Sequence, residues 1–369
     1  MKTKAAVLYE AGQPMEIEEL EVAGPRAGQV LVRFHYAGLC HSDVHVQHGD
    51  MDARLPMVLG HEGSGIVEDI GPGVDMVKVG DHVVASFIPC CGRCRWCSSG
   101  KQSICDLGAT ILEGCLPDAS FPLTGPKGNY GAMCMVGTFS QYGTLDQASV
   151  VPIDDQLPLD KAALVSCGVP TGWGSAVNAA EVRPGDTVLV VGIGGIGVNA
   201  VQGARFAGAR HVVAVDPVPF KRDRARDFGA THSAASGAEA QALIQELTYG
   251  VGADSAILAV GLMQPEIVRD GFNTIRKGGT VVVTGLNKFG MDTIDLPGAE
   301  MTLFRKTVRG TVFGDCNPRV DIARLLGLYA DGLLNLDDLI TNTYSLDQVN
   351  LGYDDLLAGK NIRGLLTID

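Results

Sequence analysis

The run from Thr187 to Asp216 restricts this chain more than any other stretch. Thr187-Val188-Leu189-Val190-Val191 reads as a buried strand that leads straight into Gly192-Ile193-Gly194-Gly195-Ile196-Gly197. A helical segment from Val198 to Ala207 follows, and a second strand, His211 to Val215, closes on Asp216. Alone, Gly-x-Gly-x-x-Gly is a weak signal, because glycine-rich turns are common. The strand before it, the helix after it and an acid nineteen residues beyond Gly197 make it a dinucleotide-binding signature. Gly192 permits the tight turn, Gly194 and the adjoining Gly195 let main chain approach a pyrophosphate, and Gly197 lets helix pack closely on strand. The helix N-terminus turns partial positive charge towards the phosphates. Asp216 would accept hydrogen bonds from the adenosine ribose and repel a 2′-phosphate, which favours NAD over NADP. Lys221, on the next turn, is either a further ribose contact or a solvated lysine.

Around this unit the pattern alternates. Further strands fit near 231–234, 254–260, 279–284 and 307–312, with helices over 238–249 and 264–275. Apolar strands alternating with amphipathic helices predict a doubly wound parallel sheet covered on both faces. Residues 1–90 differ: short β-branched runs punctuated by Gly-Pro and Gly-Asp pairs predict a β-rich region. Residues 106–138 read as a long connection whose Phe121, Met133, Met135 and Val136 pack against a substrate channel or a partner subunit. The tail holds helical stretches near 318–331 and 345–357, then a strand from Ile362 to Ile368.

Ten cysteines in a chain whose start does not read as a secretory leader argue for metal or redox chemistry rather than a disulfide framework. Cys91, Cys94, Cys97 and Cys105 can enclose one tetrahedral zinc with no open position, a structural site; free or redox-paired thiols are the alternative. Cys90 breaks the spacing and is read as a bystander. A second constellation is dispersed. Cys40 and Gly60-His61-Glu62-Gly63 need a third ligand, and Cys167 is the best candidate. Two thiolates and one imidazole leave a zinc position open for water or substrate, as in catalytic sites. Singly, His61 reads as a satisfied buried histidine and Cys167 as a small core residue; together they read as ligands. Glu62 and Asp43 are carboxylates placed to orient them.

The balance of 29 basic against 42 acidic residues gives −13, which disfavours nucleic acid and anionic membranes as partners. No apolar run is long enough for a membrane span, and the start, Met1 to Glu10, is too short an apolar segment for a signal peptide. A cytoplasmic location is expected.

The chain resembles the zinc-containing medium-chain alcohol dehydrogenases over essentially its whole length, the enzymes that exemplify a Cys2His catalytic zinc. Cys40-His41-Ser42-Asp43, Gly60-His61-Glu62-Gly63, the lobe 91–105, Cys167 in Gly-x-Pro-Thr-Gly-Trp-Gly, the glycine loop and Asp216 carry the match. It is most similar to the actinobacterial nitrosoaniline-dependent members, nicotinoproteins linked to the redox carrier mycofactocin. Cys91-Gly-Arg-Cys-Arg-Trp-Cys, the Cys167–Val177 segment and Asn361-Ile-Arg-Gly carry that narrower likeness.

The resemblance implies a GroES-like β-rich catalytic domain over 1–168, a Rossmann domain over 169–312 and a return to the first domain over 313–369. It implies two zinc ions per chain, tightly bound NAD(H), oxidation of an alcohol to an aldehyde, an external mycofactocin-like acceptor and a homo-oligomer. Ser42 takes the alcohol's proton and His45 passes it to water, roles that a hydroxyl and an imidazole suit. Thr171 lies by the nicotinamide, and Arg363 and His41 serve the pyrophosphate. Many members carry arginine where His41 stands, so that contact is weaker here. Phe87, Met135 and Leu286 are pocket walls or ordinary core. An exchanging NAD-dependent alcohol dehydrogenase, a thiol-dependent formaldehyde dehydrogenase and a catalytically silent binding protein are the other readings.

Overall fold

The structure, a computed structural model, describes residues 1–290 and 293–368. The chain divides into two compact units, Met1–Cys167 with Asn317–Asp369, and Gly168–Cys316. Strands β1 (Lys2–Leu8), β2 (Glu16–Val22) and β3 (Gln29–Gly38) open the first unit, and helix α1 (His41–Gln47) follows β3. Strands β4 (Met57–Val58), β5 (Gly63–Ile70), β6 (His82–Ala85), β7 (Leu123–Gly125), β8 (Gly128–Ala132), β9 (Tyr142–Asp146) and β10 (Val150–Pro152) complete its N-terminal part.

β1, β2, β7, β8 and β4 close into a barrel. Its interior is filled by alternate residues of the strands, among them Ala5, Val7, Leu20 and Leu123, with Tyr130 fully buried at the centre. Residues 106–138 are therefore more than a connection: they supply β7 and β8, which shut the barrel. Met133 and Val136 sit in the first unit's own core, and Phe121 lies under the Arg54 guanidinium at 4.3 Å. Within the chain, these side chains pack on this unit itself.

The second unit is the doubly wound sheet. Helix α2 (Gly168–Gly174) passes into a π-helical turn, Ser175–Ala179. Strands β11 (Thr187–Val191), β12 (His211–Val215), β13 (His232–Ala234), β14 (Ala253–Leu258), β15 (Ile275–Val283) and β16 (Thr307–Gly310) pair in parallel in the order β13-β12-β11-β14-β15-β16. Helices α3 (Gly195–Phe206), α4 (Pro219–Asp227), α5 (Gly237–Leu247) and α6 (Pro265–Thr274) form its crossovers. Sequence pattern misses α4 because only Ala225 of it is buried, so it has no apolar stripe.

The second unit ends at Cys316 rather than 312. The turn Phe313–Asp315 belongs to α2: Asn178 Nδ2 donates to the Gly314 carbonyl at 3.1 Å and Cys316 Sγ to the Pro170 carbonyl at 3.4 Å. The chain then re-enters the first unit through α7 (Pro318–Ala330), strand β17 (Ile340–Ser345), α8 (Val349–Leu357) and strand β18 (Arg363–Thr367). β18 pairs antiparallel with β3 and parallel with β17, extending the sheet β10-β6-β5-β3-β18-β17. Among the described residues, no helix is long and apolar enough to cross a membrane.

Candidate functional site

Two side-chain clusters of the first unit have the composition of metal sites. In the first, one ligand atom each from Cys40, His61, Glu62 and Cys167 lies within 4.8 Å of the others, and all four residues are buried. The elements that bring them together are sequentially remote. Cys40 precedes α1, His61 and Glu62 end the loop before β5, and Cys167 closes the first stretch of the unit.

Charges in this pocket reinforce one another. A hydrogen bond with the Cys167 sulfur holds the Cys40 thiol well below its ordinary range, against the opposing effect of burial, with help from His61 and Arg363. Burial works against a charged His61, but Asp43 and the Cys40 thiolate outweigh it and raise the imidazole well above its usual value. His61 Nδ1 stands 3.3 Å from Asp43 Oδ1, which also accepts the Gly60 N–H at 2.9 Å. His61 Nε2 is buried with no hydrogen-bond partner among the described residues. An imidazole with one nitrogen held by a carboxylate and the other unpartnered beside two thiols is prepared for a cation, and softer thiolate and imidazole donors suit zinc. Phe87 meets the His61 ring edge-on at 5.7 Å and 84°.

Around this group, Ser42 Oγ lies 3.7 Å from Cys40 Sγ. His45, on the same helix and buried, faces Asp50 through Nδ1 at 3.2 Å. Asp50 went unnoticed in the sequence; its signal is an acid five residues beyond a helical histidine. His41 is exposed on the first turn of α1. Met135 is buried, with the Thr110 hydroxyl 3.3 Å from its sulfur, whereas Leu286 of the second unit is exposed.

Arg363 is held within the first unit. Its guanidinium is buried in the first unit and donates to Glu62 Oε2 in an ion pair sealed from solvent. β18 pairs with β3 immediately beside Gly38, which carries the arginine under the strand and onto Glu62. A carboxylate this deeply buried requires such a partner, and that requirement fixes the arginine.

The second cluster is Cys91, Cys94, Cys97 and Cys105, again with sulfurs within 4.8 Å of one another. Cys91 to Cys97 and Cys94 to Cys105 are both 3.9 Å apart. Zinc–thiolate bonds of about 2.3 Å give a tetrahedron with sulfur–sulfur edges of roughly 3.8 Å, so the spacing fits a closed four-thiolate zinc. Main-chain N–H groups of Cys97 and Asp106 lower the Cys94 thiol to about 6, while burial raises Cys97 to about 11 and Cys105 to about 12. All ten cysteines are free of disulfides. Cys90 is buried beside Cys97 and Cys105 but stands outside the four-sulfur group. Cys97→Ser is expected to lower zinc content by one ion per chain and to make the 91–105 lobe sensitive to protease, as elemental analysis and limited proteolysis would show.

In the second unit the glycine loop is cradle-shaped. Gly192 has φ +86°, and a Cβ there would come within 2.8 Å of the Ala259 carbonyl oxygen. A Cβ on Gly197 would run into the Gly192 carbonyl, whereas one on Gly194 meets nothing within 4 Å. The loop is thus closed where helix meets strand and open where a phosphate would lie, beside Gly195 at the α3 N-terminus. Asp216 ties β12 to this loop, accepting the Ile193 N–H at 2.8 Å and the Val218 N–H at 2.9 Å. Lys221 is half-exposed on α4. Thr171 is buried on α2, whose Gly172 packs directly on the Ile196 carbonyl of α3. These residues fit a dinucleotide held at the α3 N-terminus.

Residues 26–155 match the alcohol dehydrogenase GroES-like domain and residues 195–331 the zinc-binding dehydrogenase family. An NDMA-dependent alcohol dehydrogenase of Amycolatopsis methanolica is 58% identical over 366 residues, covering 99% of both chains. Alcohol dehydrogenase B of Mycobacterium tuberculosis is 47% identical over 368 residues, covering 99% of this chain and 98% of its own. The crystal structure of benzyl alcohol dehydrogenase from Acinetobacter calcoaceticus superimposes with a TM-score of 0.93 at 30% identity, covering 100% of each chain. The fold and the two cysteine-containing clusters thereby define a GroES-like domain joined to a Rossmann domain, a zinc dehydrogenase architecture. The chain belongs to the zinc-containing medium-chain alcohol dehydrogenases.

Proposed function

We propose that this protein oxidises an alcohol to its aldehyde with NAD that stays bound through turnover and is reoxidised by an external acceptor. The buried Cys40–His61–Cys167 group carries the reading, because three ligands of this kind leave a zinc position for the substrate oxygen. When bound, zinc supplies Lewis acidity at the substrate oxygen and the nicotinamide supplies a hydride acceptor. The chain's own residues do the remaining work. Asp43 orients His61 so that Nε2 is presented as a donor atom. The Ser42 hydroxyl accepts the alcohol's proton as it gives up its own, and His45, with Asp50 behind it, takes up the released proton and passes one to water. Asp216 selects the unphosphorylated ribose of NAD, with Lys221 beside it; Thr171 sits by the nicotinamide and His41 by the phosphates.

Retention of the cofactor is supported by the 58% identity to an enzyme described as NDMA-dependent. A mycofactocin-like carrier as the acceptor and assembly as a homo-oligomer belong to the same reading. The test is turnover of purified protein with a simple alcohol in two arms, one given fresh NAD and the other only the nitrosoaniline dye. Dye reduction with no NADH in the first arm is expected. NADH accumulating in the first arm would make this an exchanging dehydrogenase.

A further inference from the structure

Asp43 is fully buried, and its two oxygens are unequally used. Oδ1 accepts the Gly60 N–H and faces His61 Nδ1. Oδ2 has no partner of hydrogen-bond geometry among the described residues. Tyr353, on α8, is in the same condition: 2% exposed, with its Oη buried and unpartnered among the described residues. A polar group buried unpaired costs about 1–3 kcal/mol, and here two complementary ones are left in one pocket. The packing brings them together: the Phe139 ring beside Tyr353 is the one a Cβ on Gly60 would strike, the Gly60 N–H donates to Asp43, and a Cβ on Gly352 would strike Leu39, next to Cys40. In keeping with that placement, the Asp43 carboxylate, after burial, raises the Tyr353 phenol. The ring is fixed by the first unit's core, with Phe139 at 6.2 Å, so the hydroxyl's direction is set by packing rather than by solvent.

We propose that Tyr353 is a positioning residue for the metal centre: its Oη–H donates to Asp43 Oδ2, completing a buried chain Tyr353–Asp43–His61 whose open end, Nε2, faces the metal. The inference rests on reading Cys40, His61 and Cys167 as that centre. The phenol turns a carboxylate free to rotate into one fixed at both oxygens, and so fixes the tautomer and tilt of His61. Outer partners of metal-bound histidines typically contribute 10–100-fold to metal affinity.

The experiment is zinc release to a chromophoric chelator from the zinc-loaded protein, read alongside the NMR resonance of the His61 Nδ1 proton. In Tyr353→Phe the ring and its packing remain. One zinc per chain is expected to leave roughly tenfold faster, the zinc of the four-cysteine lobe to leave at an unchanged rate, and the Nδ1 proton to shift. Asp43→Asn should accelerate the same phase more strongly. A merely structural hydroxyl would alter thermal stability and leave both readouts in place, and that outcome overturns the proposal. Cys40→Ala separates the two levels. If it abolishes the affected phase while Tyr353→Phe changes nothing, only the role of Tyr353 fails. If it leaves both zinc phases intact, the site reading fails and takes the proposal with it.

Discussion

Cys167→Ala is expected to remove one of two zinc ions per chain and at least about a thousandfold of alcohol turnover. The size follows from the work assigned to the metal: charge stabilisation worth several kcal/mol corresponds to three or more powers of ten in rate. The substitution removes the thiol that holds Cys40 in its low-pKa state, so the second thiolate weakens with the first. The lobe at 91–105 shares no ligand with this pocket and should keep its zinc. Elemental analysis of the purified variant, with turnover in the dye assay, checks both halves. A variant with two zinc ions and full activity would remove the pocket from the chemistry.

The second large effect concerns stability. Arg363→Met is expected to cost about 3–5 kcal/mol, because it leaves the Glu62 carboxylate, 0% exposed, without its countercharge in the protein interior. Glu62→Leu alone strands the guanidinium and should cost a comparable amount. The double variant should recover most of the loss, since a buried ion pair can be replaced by apolar groups of similar volume with little change. Urea denaturation of the wild type, both single variants and the double variant forms the cycle. Additive losses in the double variant would mean that the two residues stabilise the fold separately.

These two residues also show where sequence reading stops. The glycine loop, its flanking strands and Asp216 are legible because the signature is local: turn, helix start and acid lie within thirty residues. The four-thiol lobe is legible for the same reason. Glu62 and Arg363 are 301 positions apart, and nothing in either neighbourhood announces the other. That Arg363 pairs with Glu62 is visible only once β18 is seen beside β3. Strands β7 and β8 are short, glycine-containing and stabilised by partners far along the chain, so residues 106–138 read as a loop. Asp43 reads as an orienting carboxylate from its place beside Cys40, and it contacts His61, but the phenol opposite it comes from the far end of the chain. Local chemistry is written in the sequence; the partner that completes a buried charge is set by the tertiary fold.

The central claim is that one zinc lies among Cys40, His61 and Cys167 and a second among Cys91, Cys94, Cys97 and Cys105. Anomalous diffraction from crystals of the purified protein, recorded on either side of the zinc absorption edge, tests it directly. Two peaks per chain at those positions are expected. A single peak in the cysteine lobe, or a second one away from His61, would contradict the account.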